Sequence, residues 1–268
     1  MTRTLAEAAL TVLRTADPAG KAAAAREIAA AWRHGAIAQV GVATPPDRPA
    51  RPARPALRPP REVPRRRIGA GRRGRVALLH ALAHIELNAI DLAFDIVARF
   101  AHEGMPRAFH DDWIAVGDDE ARHYMMLARR LTELGASYGD LVAHDGLWQA
   151  AERTADDLLA RLAVVPMVLE ARGLDVTPAM IDRLRAAGDG RSADLLQTIH
   201  DEEIDHVAAG VRWFRFLCGR RGLEPEPTWR ELVGSRFAGT LKPPFNRSSR
   251  DLAGLLAGFY EPLADPQR

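Results

Sequence analysis

Cysteine is nearly absent from this 268-residue chain, where Cys218 stands alone. One thiol closes no intrachain disulfide and builds no cysteine-based zinc site. Lysine is almost as scarce: only Lys21 and Lys242 occur among the 37 basic residues. Aromatic residues make up 6%, and runs rich in valine, isoleucine and threonine are missing, which argues against a β-sandwich or barrel. Long hydrophobic runs are missing too. The longest uncharged apolar stretch, residues 162–169, contains Pro166 and falls short of the roughly 20 residues of a spanning helix. No basic-then-apolar leader opens the chain. A cytoplasmic protein with no membrane partner is the expectation.

What is present is an ordinary globular balance, 47% apolar and 27% charged, with the charge unevenly placed. Between Pro45 and Arg75 eleven arginines face only Asp47 and Glu62, a surplus of nine, so the remainder carries −7 against the overall +2. Eight prolines between Pro45 and Pro64 forbid a continuous helix and favour an extended path. Around this strap the apolar periodicity is helical. Short helices are expected over 3–16 and 19–34, and four long ones over 75–103, 107–135, 148–173 and 191–219. A short helix near 178–187 would start at Thr177-Pro178, and another lies near 248–258. The division along the chain is an N-terminal helical extension (1–40), a Pro/Arg-rich strap (41–74), a four-helix bundle (75–220) and a C-terminal tail (221–268).

Each long helix carries an apolar seam with one interruption. The first reads Leu79, Leu82, Glu86, Ala89, Ala93, Ile96; the second Trp113, Val116, Glu120, His123, Leu127, Leu131. The third reads Leu159, Ala163, Pro166, Glu170; the fourth Leu196, Ile199, Glu203, His206, Gly210. Four carboxylates buried in one core cost too much unless cations compensate. Two divalent ions balance four glutamates, and two neutral imidazoles complete the set. A Glu-x-x-His pair puts both side chains on one helix face, the pattern of di-metal carboxylate bundles. Glu86 precedes Glu120 by 34 residues and Glu170 precedes Glu203 by 33, so the second half repeats the first. The expected metal ligands are Glu86, Glu120, His123, Glu170, Glu203 and His206. Glu170 is the hardest to place, because Pro166 and Gly173 disturb the register. Glu202 competes with Glu203, and His200 also has an inward orientation open to it.

The segments His84-Ile-Glu-Leu-Asn-Ala-Ile-Asp-Leu-Ala93, Asp118-Asp-Glu-Ala-Arg-His-Tyr124 and His200-Asp-Glu-Glu-Ile-Asp-His206 resemble a bacterial ferritin-like family of unknown function. So does Pro59-Pro-Arg-Glu-Val-Pro-Arg-Arg-Arg67. Glu120-Ala-Arg-His123 is also similar to the motif of di-iron tRNA hydroxylases. The resemblance implies an all-α, ferritin-like four-helix bundle with a centre of two iron ions, or alternatively manganese, that activates O2. It fixes no substrate. The chain departs from the hydroxylase pattern after Glu170, where Gly173 to Pro178 is expected to interrupt the helix.

The resulting expectation is a non-haem di-iron or di-manganese oxidase or oxygenase. Its partners would be O2, an unidentified small-molecule or tRNA-like substrate and a reductase. A ferroxidase without organic substrate is one alternative, and an RNA- or protein-binding module with a structural metal is another. Asp119 and Asp205 are candidates to orient ligand imidazoles, with a solvated role as the rival reading, and Tyr124 is a candidate redox neighbour with packing as its rival. His80, His84, His102 and His110 read as surface or capping residues, and Cys218 as a buried inert thiol. The strap lacks aromatics for base stacking, so a belt along the acidic body is favoured over nucleic-acid binding.

Overall fold

A computed structural model describes residues 3–63 and 71–264. Strap residues 64–70, including the Arg65-Arg66-Arg67 run, lie outside the described residues. The fold is all-α: among the described residues only the isolated bridges Leu57–Ala143 and Leu241–Ala264 interrupt helix and loop. The chain divides into two compact units, Met1–Trp148 and Gln149–Arg268.

The first unit begins with α1 (Leu5–Arg14) and α2 (Pro18–Arg33). Thr4 and Glu7 form a reciprocal cap on α1, and Asp17 caps α2 ahead of Pro18 in its first turn. Two long helices follow, α3 (Arg72–Arg99) and α4 (Arg107–Glu133). The short link through left-handed Gly104 makes them antiparallel neighbours. Gly117 lets them close up, since a Cβ there would meet Phe94 Cε2 at 2.6 Å. α1 packs on α3 and α2 on α4.

Helix α3 is long and apolar enough to cross a membrane by length and hydropathy, with mean hydropathy 1.4 over its best window. That window is 78% buried inside the protein, and Glu86, Asn88, Asp91 and Asp95 are buried on it. α3 is a core helix. The run-length reading passes over it because these polar residues interrupt every uncharged stretch.

The described part of the strap is held against the first unit. Ala50 N donates to Leu13 O at 2.7 Å, Arg58 N to Ala143 O at 2.8 Å, and Ala143 N to Ala56 O at 3.1 Å. Arg99 on α3 donates to Pro46 O at 3.0 Å. Arg48 pairs with Asp145.

The second unit corrects the expected single helix over 148–173. The chain forms α5 (Gly146–Glu152), α6 (Leu158–Val164), a wide π-helical turn Val165–Glu170, and α7 (Ala171–Ala186). The break after α5 has a local cause. Thr154 Oγ1 donates back to Ala150 O and Ala151 O at 3.1 Å, Arg161 covers Ala151 O at 2.7 Å, and Asp157 caps α6. The π turn follows Pro166, which cannot donate to the Leu162 carbonyl and whose ring forces the turn open.

The expected interruption between Gly173 and Pro178 is absent, because α7 runs through both. Pro178 cannot donate to the Leu174 carbonyl. Asn246 Nδ2 donates there instead, at 3.1 Å, so no buried acceptor is stranded.

α8 (Gly190–Arg221) matches the fourth expected helix. Its Gly210 accepts the Pro166 ring, which a Cβ would meet at 2.5 Å. The tail adds α9 (Pro225–Arg236), whose prolines Pro225 and Pro227 occupy the first turn. The single helix expected near 248–258 is two, α10 (Arg247–Leu252) and α11 (Ala257–Tyr260), parted at Gly254 with φ 73°. Arg250 fixes this tail through two 2.8 Å bonds to buried Asp175 on α7.

Candidate metal centre

In the first unit α3 and α4 bring three expected ligands together. Glu86 is buried on α3, and Glu120 and His123, both fully buried, lie one turn apart on α4. Each offers a ligand atom within 4.8 Å of the others. His123 Nδ1 is 3.3 Å from Glu86 Oε2 and 3.6 Å from Glu120 Oε2.

Burial and the charge of Glu120 push the Glu86 carboxyl well above the ordinary carboxylate range. Burial works against the His123 imidazolium. The hydrogen bonds and charges of Glu120 and Glu86 outweigh it and raise His123 to about 11. In the protein alone, then, a proton on His123 offsets carboxylate charge that has no solvent to screen it. A divalent cation would do the same with more charge, and this group of two carboxylates and one imidazole could hold one.

In the second unit Glu203 and His206 lie one turn apart on α8, both buried, with His206 Nδ1 3.6 Å from Glu203 Oε1. Glu170 closes the π turn, which packs on α8, and is half-buried. Asp119 accepts from Arg122 at 2.7 Å and is about a third exposed. Asp205 is exposed. Tyr124 is buried edge-on against Tyr138, with ring centroids 5.5 Å apart, and burial raises its hydroxyl pKa.

A family model described as "Protein of unknown function (DUF455)" matches residues 14–261. The chain belongs to this family. A Haemophilus influenzae relative, described as "Uncharacterized protein", is 37% identical over 223 residues, covering 81% of this chain and 75% of that protein. No solved structure matches the chain significantly.

Around the ligands this DUF455 chain has a second buried polar network that the sequence reading missed. Of the histidines read as surface or capping residues, His80, His84 and His110 are buried and so not on the surface, while His102 is exposed. His80 Nε2 accepts from Gly139 N at 2.9 Å. His84 Nε2 donates to His144 O at 2.9 Å, so its Nδ1 accepts the Tyr138 hydroxyl, also at 2.9 Å. Burial holds the His84 pKa down to about 4.

One turn on, Arg51 from the strap donates to Asn88 Oδ1 and to Asp91 Oδ2, each at 2.6 Å. Lys21, fully buried, pairs with the other Asp91 oxygen and donates to Val12 O at 3.0 Å. The signal was the spacing 84, 88, 91, 95, a helical stripe beside the one bearing Glu86. Cys218 is buried, and burial raises its thiol to about 11, in keeping with an inert group.

Proposed function

We propose that this protein is a ferritin-like di-metal carboxylate protein, with two iron ions as the resident metals, that activates O2 to oxidise a substrate. The observation that carries the reading is the buried Glu86–Glu120–His123 group, whose charge asks for a cation. The matched order of Glu86, Glu120-x-x-His123 and Glu170, Glu203-x-x-His206 supports assigning all six as ligands for the pair. Iron, when bound, supplies reduction of O2 coupled to oxidation of an organic molecule.

The chain's own part is to bind and to exclude water. Glu86 and Glu120 present buried carboxylate oxygens, and His123 gives up its proton and presents Nδ1. The apolar seams around them keep the group dry. A reducing cytoplasm, which supplies Fe(II) and keeps Cys218 a thiol, is the compartment this reading assigns.

The test is anaerobic Fe(II) loading followed by O2, with oxygen uptake and retained iron measured for wild type and for Glu120→Ala. The expected result is iron held by the wild type, rapid O2 consumption, and loss of both in the variant. Iron uptake and O2 consumption unaffected by Glu120→Ala overturn the reading. Iron oxidation alone, with electrons balanced by iron and no organic product from a substrate screen, favours the ferroxidase alternative.

A further inference from the structure

We infer that His200 is a positioning residue for the Glu203 carboxylate, holding a proton on Nδ1 that it donates there; the inference rests on the metal-centre reading above. His200 and Glu203 stand three residues apart on α8, on neighbouring positions of one face, and both are buried. His200 Nε2 lies 3.3 Å from Ser249 Oγ at the end of α8's contact with α10. That hydroxyl already accepts from Asn246 Nδ2 at 2.9 Å, and the same amide is tied to Leu174 O on α7. The Ser249 hydroxyl still has its own proton to give, and we direct it at His200 Nε2. An imidazole that accepts at Nε2 carries its proton on Nδ1.

Nδ1 is buried and has no hydrogen-bond partner among the described residues, and the same holds for Glu203 Oε2. A buried donor and a buried acceptor one turn apart, both without partners, are costly left so. Side chains three residues apart on a helix are within reach of each other, and we pair these two. Glu203 then keeps one oxygen for a metal ion while the other takes the His200 N–H, which fixes the carboxylate's orientation. Glu203 is the ligand; His200 acts through it.

Two substitutions separate this role from simple support of the tail. In His200→Asn the amide donor sits near the place of Nδ1, so the donation to Glu203 survives and the Ser249 contact is lost. In His200→Gln the reach is that of Nε2, so the reverse holds. Co(II) alone is titrated into the full-length, tag-free protein and followed by its visible absorption, with thermal unfolding read in parallel. The expected result is near-wild-type affinity for His200→Asn and about tenfold weaker binding for His200→Gln, the size seen when a metal ligand loses its orienting partner. Nitrogen-15 NMR of the metal-free protein is expected to show His200 protonated at Nδ1. Wild-type affinity in His200→Gln, or a proton on Nε2, overturns the inference and leaves the metal centre standing. A wild-type protein that binds no Co(II) overturns the metal-centre reading and this inference together.

Discussion

A proton on His123 is what a metal ion must displace. Held up to about 11 by Glu86 and Glu120, the imidazole is charged at pH 7. In the metal-free fold its raised pKa stabilises fully below the unfolded value of about 6.5 and is lost as pH rises through about 11. Metal binding takes the neutral imidazole, so it releases about one proton from His123 at pH 7 and tightens as pH rises. Mn(II) calorimetry in buffers of different ionisation enthalpy measures that release; a heat independent of buffer contradicts it.

Asp91 is the second residue with a sharp consequence. Asp91→Ala leaves Lys21 and Arg51 without their shared anion and is expected to cost about 3–5 kcal/mol in urea unfolding. Lys21→Met leaves Asp91 its bond to Arg51 and is expected to cost less; the opposite order contradicts the network. Glu86, Glu120 and His123 were legible in the sequence because each interrupts an otherwise apolar seam. Lys21, Asn88 and Asp91 were not, because their partners come from separate segments and no spacing rule links them.

At the scale of elements, α3, α4 and α8 follow their apolar periodicity to within a few residues. The errors fall where side chains from elsewhere rewrite local rules. Pro178 reads as a helix start, yet Asn246 supplies the donor that proline lacks, and the helix continues. Thr154 and Arg161 break a stretch whose periodicity runs on.

Asn246→Ala is expected to cost about 1–2 kcal/mol through the stranded Leu174 carbonyl. In a Pro178→Ala background the restored N–H recovers part of that, giving a positive coupling in a double-mutant cycle. Additive losses contradict the substitution of one donor for the other. Gly210→Ala drives a methyl into the rigid Pro166 ring. It is expected to destabilise by about 1–3 kcal/mol and to weaken metal binding through the π turn bearing Glu170; an unchanged unfolding midpoint contradicts the close approach.

Across the whole molecule, the basic surplus of the strap is partly consumed inside the first unit. Arg48 and Arg51 go to Asp145 and Asp91, while Arg54, Arg58 and Arg61 are exposed. Charge balance favoured a belt along an acidic body, and the described strap residues do contact the first unit. Its anchor was not legible, because Arg51 is one of eleven arginines in a repetitive segment. Arg51→Ala is expected to release the strap, so that the Ala50 and Arg58 amides lose hydrogen-exchange protection while α4 keeps its own. Unchanged protection contradicts the anchoring role.

Family membership extends over most of the chain, and the helical fold follows from composition and periodicity. The metal centre is the claim that joins them. Anomalous diffraction at the iron edge, from crystals of iron-loaded protein, tests it most directly. The account expects a pair of iron peaks in contact with Glu86, Glu120 and His123. Iron-replete crystals with no peak at these side chains contradict it.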